Sequence, residues 1–517
     1  MHLKGKIFLI WLMIFCLLAG TNVQAEGTEE GMTFYEEGDI VGFIGDSITH
    51  ASYASLNYIE ALYHYYLSCF PEQQVEFRNL GVPGYTIRNV LELYPEDLAF
   101  QGINKAVIML GMNEALQGVS ARDYIDDMEE LIDRLKMDGL KGEDILVLSP
   151  APYDQTCALN YDQNGFPYGT EDDLLEEYTE HLAMKVGEWG VNYLDLHTPM
   201  AELSREIQKA DQKNTLTIGD CIHPNTTGQM IIAYHILRAQ GADGPISEIR
   251  IPKEGEVQTV RGTVTDFYRG EKGICWTWEP ETLPVPMTDE FRQFLLDFPP
   301  SKELYQEPLR IEGLSKDTVY TLRTEDVELG NFTGRELAEG VDLATLETNP
   351  LQIIVQQIEV RNREWHQESA KYRDLCYLAT IEEDVSVMEH LRADFAEWKF
   401  RDAELRNEMY AIAQGAVTDT FHMTVTEEGA SVSELEKEAK EAKKRAEEEA
   451  ERKAAEEAKE QAAKKEAEEA AREAEEQEEQ VEVERKTSQN KLFASAFGIL
   501  AVVVVFVSFF AVRRKKR

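Results

Sequence analysis

The sequence predicts an α/β protein built on a parallel sheet between two layers of helices, with further segments after it. Five short apolar runs, at 40–44, 75–80, 106–110, 145–148 and 191–196, alternate with stretches of helical periodicity at 56–69, 124–137, 174–189 and 226–240. Runs that are apolar on both alternations belong to strands buried on both faces, the pattern of a parallel sheet covered by helices. A change of character near 245, and another near 430, divides the 517 residues, too many for one core, into several units.

Composition narrows the function. The formal net charge is -44, from 52 Lys and Arg against 96 Asp and Glu, so the basic footprint of a nucleic-acid binder is missing. No Gly-rich phosphate loop with its Lys is present, which argues against a nucleotide enzyme. The six cysteines include no Cys-x-x-Cys pair, and the histidines show no metal-ligand spacing. Neither a cofactor nor a metal is therefore expected.

Taken in order, the chain opens with Lys4 and Lys6, an apolar run at 7–18 and then Val23-Gln24-Ala25. These are the basic, apolar and small-residue regions of a secretory signal peptide, expected at 1–25. The sheet domain is expected at 36–245. Its unusual residues cluster where strands end: Gly45-Asp46-Ser47, Asn79 through Gly84, Gly111-Met112-Asn113-Glu114, and Asp220 through Asn225 ahead of the last helix. Open parallel sheets bind ligands outside the carboxyl ends of their strands, so these loops converge on one pocket.

The residue types suit acyl transfer. A serine hydroxyl needs a base, and His223 is a candidate for Ser47. A histidine needs an acceptor on its other nitrogen, which Asp220 can supply from three residues upstream. The developing oxyanion needs donors, available from the backbone N–H groups of Ser47 and Gly84 and the side-chain amide of Asn113. Each residue alone also has an ordinary reading: a turn at 45–47, a Pro-Gly turn at 83–84, helix caps at Asn113 and Asn225. It is their joint placement at strand ends that favours the catalytic one.

The set resembles the four blocks of the SGNH hydrolases, the GDSL esterase/lipase family. Gly45-Asp46-Ser47 is similar to the first block, Asn79 to Gly84 to the second, Gly111-x-Asn113 to the third and Asp220-x-x-His223 to the last. The resemblance implies a flavodoxin-like three-layer fold, Ser47 as nucleophile, Asp220 and His223 as acid and base, and Ser47, Gly84 and Asn113 as the oxyanion hole. Two departures stand out: Glu114 where the family has Asp, and Ile48 after the serine where it has Leu.

Beyond this domain, alternation at 249–251, 257–268 and 320–329 predicts a small β domain over 246–345, in which Trp276 and Trp278 are candidates for a structural role or for glycan binding. A helical region follows at 346–428. Residues 431–488, almost all Ala, Glu, Lys, Arg and Gln, read as a charged helical stalk of about 80 Å or as a charged linker. The uncharged run 492–512, ahead of the basic 513–517, reads as a transmembrane helix with a cytoplasmic tail. Together these predict a single-pass membrane protein with its N-terminal ectodomain outside. The expected activity is hydrolysis of acetyl or other short acyl esters, on a carbohydrate or cell-wall polymer. Tyr53, Tyr58, Tyr85 and Tyr153 are candidates to flank the pocket. A lipase or thioesterase, or a surface adhesin without activity, are the alternatives.

Overall fold

A computed structural model describes residues 32–95, 97–156, 171–211, 213–382 and 385–513. The expected signal peptide at 1–25, and all but the first residue of the basic tail at 513–517, lie outside the described residues.

Five parallel strands make the first sheet: β1 (Ile40–Gly45), β2 (Glu76–Gly81), β3 (Lys105–Met109), β4 (Ile145–Leu148) and β5 (Asn192–Leu194), in spatial order β2-β1-β3-β4-β5. This 2-1-3-4-5 order is the flavodoxin-like one. β1 to β4 are buried on both alternations, as the continuous apolar runs require. The intervening helices are α1 (Ser47–His50), α2 (Tyr58–Cys69), α3 (Ile87–Glu92), α4 (Met112–Leu116), α5 (Ala121–Met137), α6 (Glu171–Trp189), α7 (His197–Ala210) and α8 (Thr226–Ala239). α2 packs on α8, and α5 packs on α3 and α6. Several starts carry side-chain caps: Asn57 with Glu60 closes a capping box on α2, Thr86 with Asn89 one on α3, and Ser120 and Asn225 cap α5 and α8.

Two more sheets follow. β6 (Glu248–Ile251), β7 (Gln258–Val260), β10 (Pro308–Ile311) and β13 (Val341–Asp342) form one, in order β13-β10-β6-β7. β8 (Gly262–Arg269), β9 (Gly273–Pro280), β11 (Val319–Thr324), β12 (Val327–Thr333) and β14 (Phe421–Glu427) form an antiparallel one, in order β12-β11-β14-β9-β8. They share a core of Ile249, Ile251, Leu309 and Ile311 with Ile274, Trp276, Leu322 and Val425. Residues 421–427, read from sequence as the end of the helical region, thus supply the central strand of the second of these sheets. Trp276 and Trp278 lie in this core, 0 % and 5 % exposed, which removes them as a glycan platform.

The helical region itself is a hairpin of α12 (Pro350–Glu382) and α13 (Val385–Val417), counting the short α9 (Asp289–Asp297), α10 (Lys302–Tyr305) and α11 (Gly334–Glu339) before it. Its Trp365, Tyr372, Trp398 and Tyr410 are buried in the same core as the first sheet, as are Phe291 and Phe294 of α9, whereas Phe400 is exposed. The hairpin packs on α2 and beside β2, the edge strand, where the Tyr410 hydroxyl accepts the Val75 N–H at 2.9 Å. Covering an edge in this way satisfies main-chain groups that no further strand pairs.

The last helix, α14 (Val432–Arg513), forms from residue 436 on a separate unit and carries ion pairs four residues apart, such as Glu449 with Lys453 at 3.0 Å and Glu482 with Lys486 at 2.7 Å. Here the expected transmembrane helix at 492–512 and the single-pass membrane location are overturned: among the described residues, no helix is long and apolar enough to cross a membrane. Up to residue 491 α14 is rich in Glu, Lys and Arg, each of which costs roughly 2.5–3.5 kcal/mol at a bilayer centre, so that part of the helix does not span either. The backbone of α14 is described through Arg513; the side chains of 497 and 499–517 lie outside the described residues.

Candidate active site

Three of the loops singled out in the sequence meet at the carboxyl ends of β1 to β3. β1 runs into Asp46, which caps α1 by accepting the Ile48 N–H at 2.8 Å, so that Ser47 is the first residue of that short helix. The loop before α8 is closed by a bridge between Thr217 and Pro224, by an Ile218 N–H to His223 carbonyl bond of 2.9 Å, and by Asn225. The Asn225 amide donates to the Thr215 carbonyl at 2.8 Å while its oxygen caps Gly228, so its role is to hold the loop. Within the loop Cys221 sits at φ +71°, a left-handed backbone uncommon for a residue with a Cβ.

That loop delivers His223 to the serine. His223 Nε2 lies 2.8 Å from Ser47 Oγ, and His223 Nδ1 lies 2.5 Å from Asp220 Oδ2. A carboxylate only accepts, so Nδ1 carries the ring proton and Nε2 is left to accept the Ser47 hydroxyl. Asp220 Oδ1 also accepts the N–H groups of Ile222 and His223, at 3.0 and 2.9 Å. Burial pushes the Asp220 carboxyl up, but the His223 ring and those two N–H groups outweigh it and hold the group below the usual carboxylate range.

The sequence-predicted donors lie on the neighbouring loops. Val82-Pro83-Gly84-Tyr85 makes a turn closed by Tyr85 N–H to Val82 carbonyl at 3.2 Å, with Pro83 ahead of Gly84 at φ +78°. Gly84 is exposed, and a Cβ there would meet nothing within 4 Å, so its backbone stays open to a ligand. Asn113, near the start of α4, gives its amide to the Tyr85 carbonyl at 2.9 Å and approaches Asp46 Oδ2 at 3.4 Å. Asp46 is 2 % exposed, and burial pushes its carboxyl up to about 6 against the pull of the Ile48 N–H and His223.

One supporting residue, Gln229, escaped the sequence reading, and others named there prove to hold the site together. Gln229 on α8, fully buried, donates to the Ile48 carbonyl at 3.0 Å and to the Tyr53 hydroxyl at 2.9 Å, and Tyr53 sets its ring edge-on to His223 with centroids 5.0 Å apart. Its signal was only a polar residue on an apolar helix. Asn79 donates to the Thr49 carbonyl at 3.0 Å and accepts the Gly81 N–H at 3.0 Å, tying the end of α1 to the end of β2. Glu114, the departure from the family pattern, is buried and accepts the Ile87 N–H at 2.6 Å; burial pushes it up to about 7. Of the four tyrosines named in the sequence, Tyr58, Tyr85 and Tyr153 are buried and Tyr53 alone is part-exposed at His223.

A cavity of about 120 Å³ opens beside the His223 loop, lined by Tyr153, Asp172, Ser204, Arg205, Thr217 and Pro224 among others. Neither Ser47 nor His223 lines it. Among the described residues no group of three or more His, Cys, Asp or Glu side chains is arranged to hold a metal ion.

Residues 43–231 match the GDSL-like Lipase/Acylhydrolase family. Among solved structures, a gut microbial diltiazem-metabolizing enzyme matches with a TM-score of 0.66 and 19 % identity over 77 % of this chain and 99 % of that one. An acetylxylan esterase from Geobacillus stearothermophilus matches with a TM-score of 0.32 and 21 % identity over 40 % of this chain and 95 % of that one. At such identities the first likeness bears on the fold alone. A comparison with curated proteins returned no match. The matched segment, which includes Ser47, Gly84, Asn113, Asp220 and His223, is a GDSL-like lipase/acylhydrolase domain, and the protein carrying it is an ester-hydrolysing enzyme.

Proposed function

We propose that this enzyme hydrolyses short acyl esters through Ser47 as nucleophile, His223 as base and Asp220 as the group that orients His223. The observation that carries the reading is the continuous relay from Ser47 Oγ to His223 at 2.8 Å and on to Asp220 at 2.5 Å. His223 takes the hydroxyl proton as Ser47 Oγ attacks the ester carbonyl, then returns it to the leaving alkoxide. The acyl-serine is released by water along the same route. The Ser47 and Gly84 N–H groups and the Asn113 amide receive the oxyanion.

For the substrate we propose a small acyl group on a polar, carbohydrate-like alcohol. In the neighbouring cavity, which neither Ser47 nor His223 lines, Asp154, Asp172, Ser204 and Arg205 stand among Met200, Ala201 and Leu216, so polar partners for hydroxyls are set in a partly apolar wall. Tyr53, edge-on to His223, is the aromatic surface nearest the relay.

The test uses the full chain beside Ser47→Ala, on p-nitrophenyl esters from acetate to long-chain acyl groups and on acetylated oligosaccharides with acetate release measured. Expected are rates that fall with acyl length, acetate release from the oligosaccharides, and near-complete loss of both in Ser47→Ala. Equal turnover in the two proteins removes Ser47 as nucleophile. Rates that climb with acyl length remove the short-acyl reading and favour a lipase.

A further inference from the structure

The hairpin of α12 and α13 lies outside the family-matched residues 43–231, yet one turn of α12 touches both loops on which the proposed reaction depends. Arg373, whose side chain is 1 % exposed, donates from Nη2 to the Leu80 carbonyl at 3.1 Å and from Nε to the Gly81 carbonyl at 3.4 Å. These are the last two residues of β2. The same guanidinium pairs with Asp97 at 2.8 and 2.6 Å. A bidentate carboxylate offsets the cost of burying the charge and holds the planar group in one orientation.

What Arg373 holds is the root of the Gly84 turn. Immediately after Gly81, the Val82 N–H donates to the Gly45 carbonyl at 3.1 Å, and the turn to Tyr85 follows. On the same turn of α12, the Ala370 carbonyl and Asp374 Oδ1 lie 3.3 and 3.1 Å from Nε2 of His50, the last residue of the helix that begins at Ser47. The end of β2 and the end of the nucleophile helix are thus backed by residues 370–374 together, and Asn79 joins the two directly.

We infer that Arg373 is a positioning residue of the hydrolase site: by fixing the end of β2 it holds the Gly84 N–H in register with Ser47. The inference rests on the reading of Ser47 and Gly84 given above. An arginine spent on two main-chain oxygens at one strand end is matched to shape, and neither lysine nor an apolar residue reproduces both bonds.

The experiment compares Arg373→Lys and Arg373→Met with wild type, in the full chain. It reads kcat per titrated active site, KM on p-nitrophenyl acetate, and backbone hydrogen exchange over residues 79–86. Titration of active sites removes the contribution of unfolded protein. In Arg373→Met, kcat per site is expected to fall roughly 10- to 100-fold with KM within about twofold, with Arg373→Lys between the two, and residues 82–85 to exchange faster in both. Unchanged kcat per site together with unchanged exchange at 82–85 overturns the inference, even if both variants melt earlier. Should Arg373→Met fail to fold, Arg373→Lys decides in the same way, since it keeps the charge beside Asp97 without the second arm. If wild type and Ser47→Ala turn over alike, it is the nucleophile reading that fails, and the exchange at 82–85 decides Arg373 by itself.

Discussion

Asn113 donates its side-chain amide to the Tyr85 carbonyl at 2.9 Å, so a donor assigned to the oxyanion also anchors the turn that presents the second donor. The amide's other contact, to Asp46 at 3.4 Å, is long, and that hydrogen is the one available to a substrate oxygen. Asn113→Ala is expected to lower kcat by roughly 10²–10³-fold. Steady-state kinetics on a short ester, with circular dichroism to verify folding, reads this. An unchanged kcat would take Asn113 out of the oxyanion hole.

Asp220 holds His223 twice, at Nδ1 and at the His223 N–H, and also accepts the Ile222 N–H of the same loop. Asp220→Asn offers an amide that can present a donor to Nδ1, which favours the wrong tautomer. A fall in kcat of up to about 10⁴-fold is expected, with the protein still folded. Wild-type kinetics in this variant would remove Asp220 from the mechanism.

Two neighbouring glycines separate packing from conformation. A Cβ on Gly81 would stand 2.3 Å from the His50 nitrogen and 2.8 Å from the Asp46 carbonyl oxygen, both backbone atoms of the nucleophile segment. Gly84 meets nothing within 4 Å but holds φ +78°. Gly81→Ala is expected to cost about 1–3 kcal/mol or more and to displace Ser47. Gly84→Ala should cost about 1 kcal/mol and act chiefly on kcat. Denaturant melts with parallel kinetics distinguish them, and a Gly81→Ala protein as stable and active as wild type would contradict the close packing.

Glu60 is buried between α2 and α12, where Asn57 donates to it at 2.6 Å and Glu359, Arg363 and His64 lie nearby. Burial pushes its carboxyl from the ordinary 4.5 up to about 8. The folded protein therefore holds a proton that the unfolded chain releases, so this contribution to stability is intact below about pH 4.5 and is lost as pH rises through about 8. The melting temperature should fall between about pH 5 and pH 8, and fall less in Glu60→Gln, which keeps the shape without the charge. Parallel slopes for the two proteins would exclude Glu60 as a source.

Much of this architecture was legible in the residues. The five apolar runs became the five strands within one or two residues, because they are too short for helices and are bounded by turn residues. The relay residues were found because Ser47, Asp220 and His223 sit at punctuated strand and helix boundaries. Other elements were hidden. α7 (His197–Ala210) was passed over because it starts only three residues after β5 ends, and α9 (Asp289–Asp297) because it is one short stretch between prolines. The run at 492–512 looked like a membrane span when taken alone, and that reading did not survive.

Sequence by itself determined the parallel α/β core and the acidic character that sets the protein apart from nucleic-acid binders, and it supplied the residues proposed for acyl transfer. These depend on local quantities: side-chain period, charge and residue type at a boundary. Only the tertiary structure decided that β14 (Phe421–Glu427) completes a sheet begun some 150 residues earlier, that Trp276 is core, and that Gln229 and Arg373 back the loops of the site. Each of those facts is a contact between segments far apart in the chain. Such contacts are chosen by shape and by the need to satisfy buried polar groups, and a linear pattern carries neither.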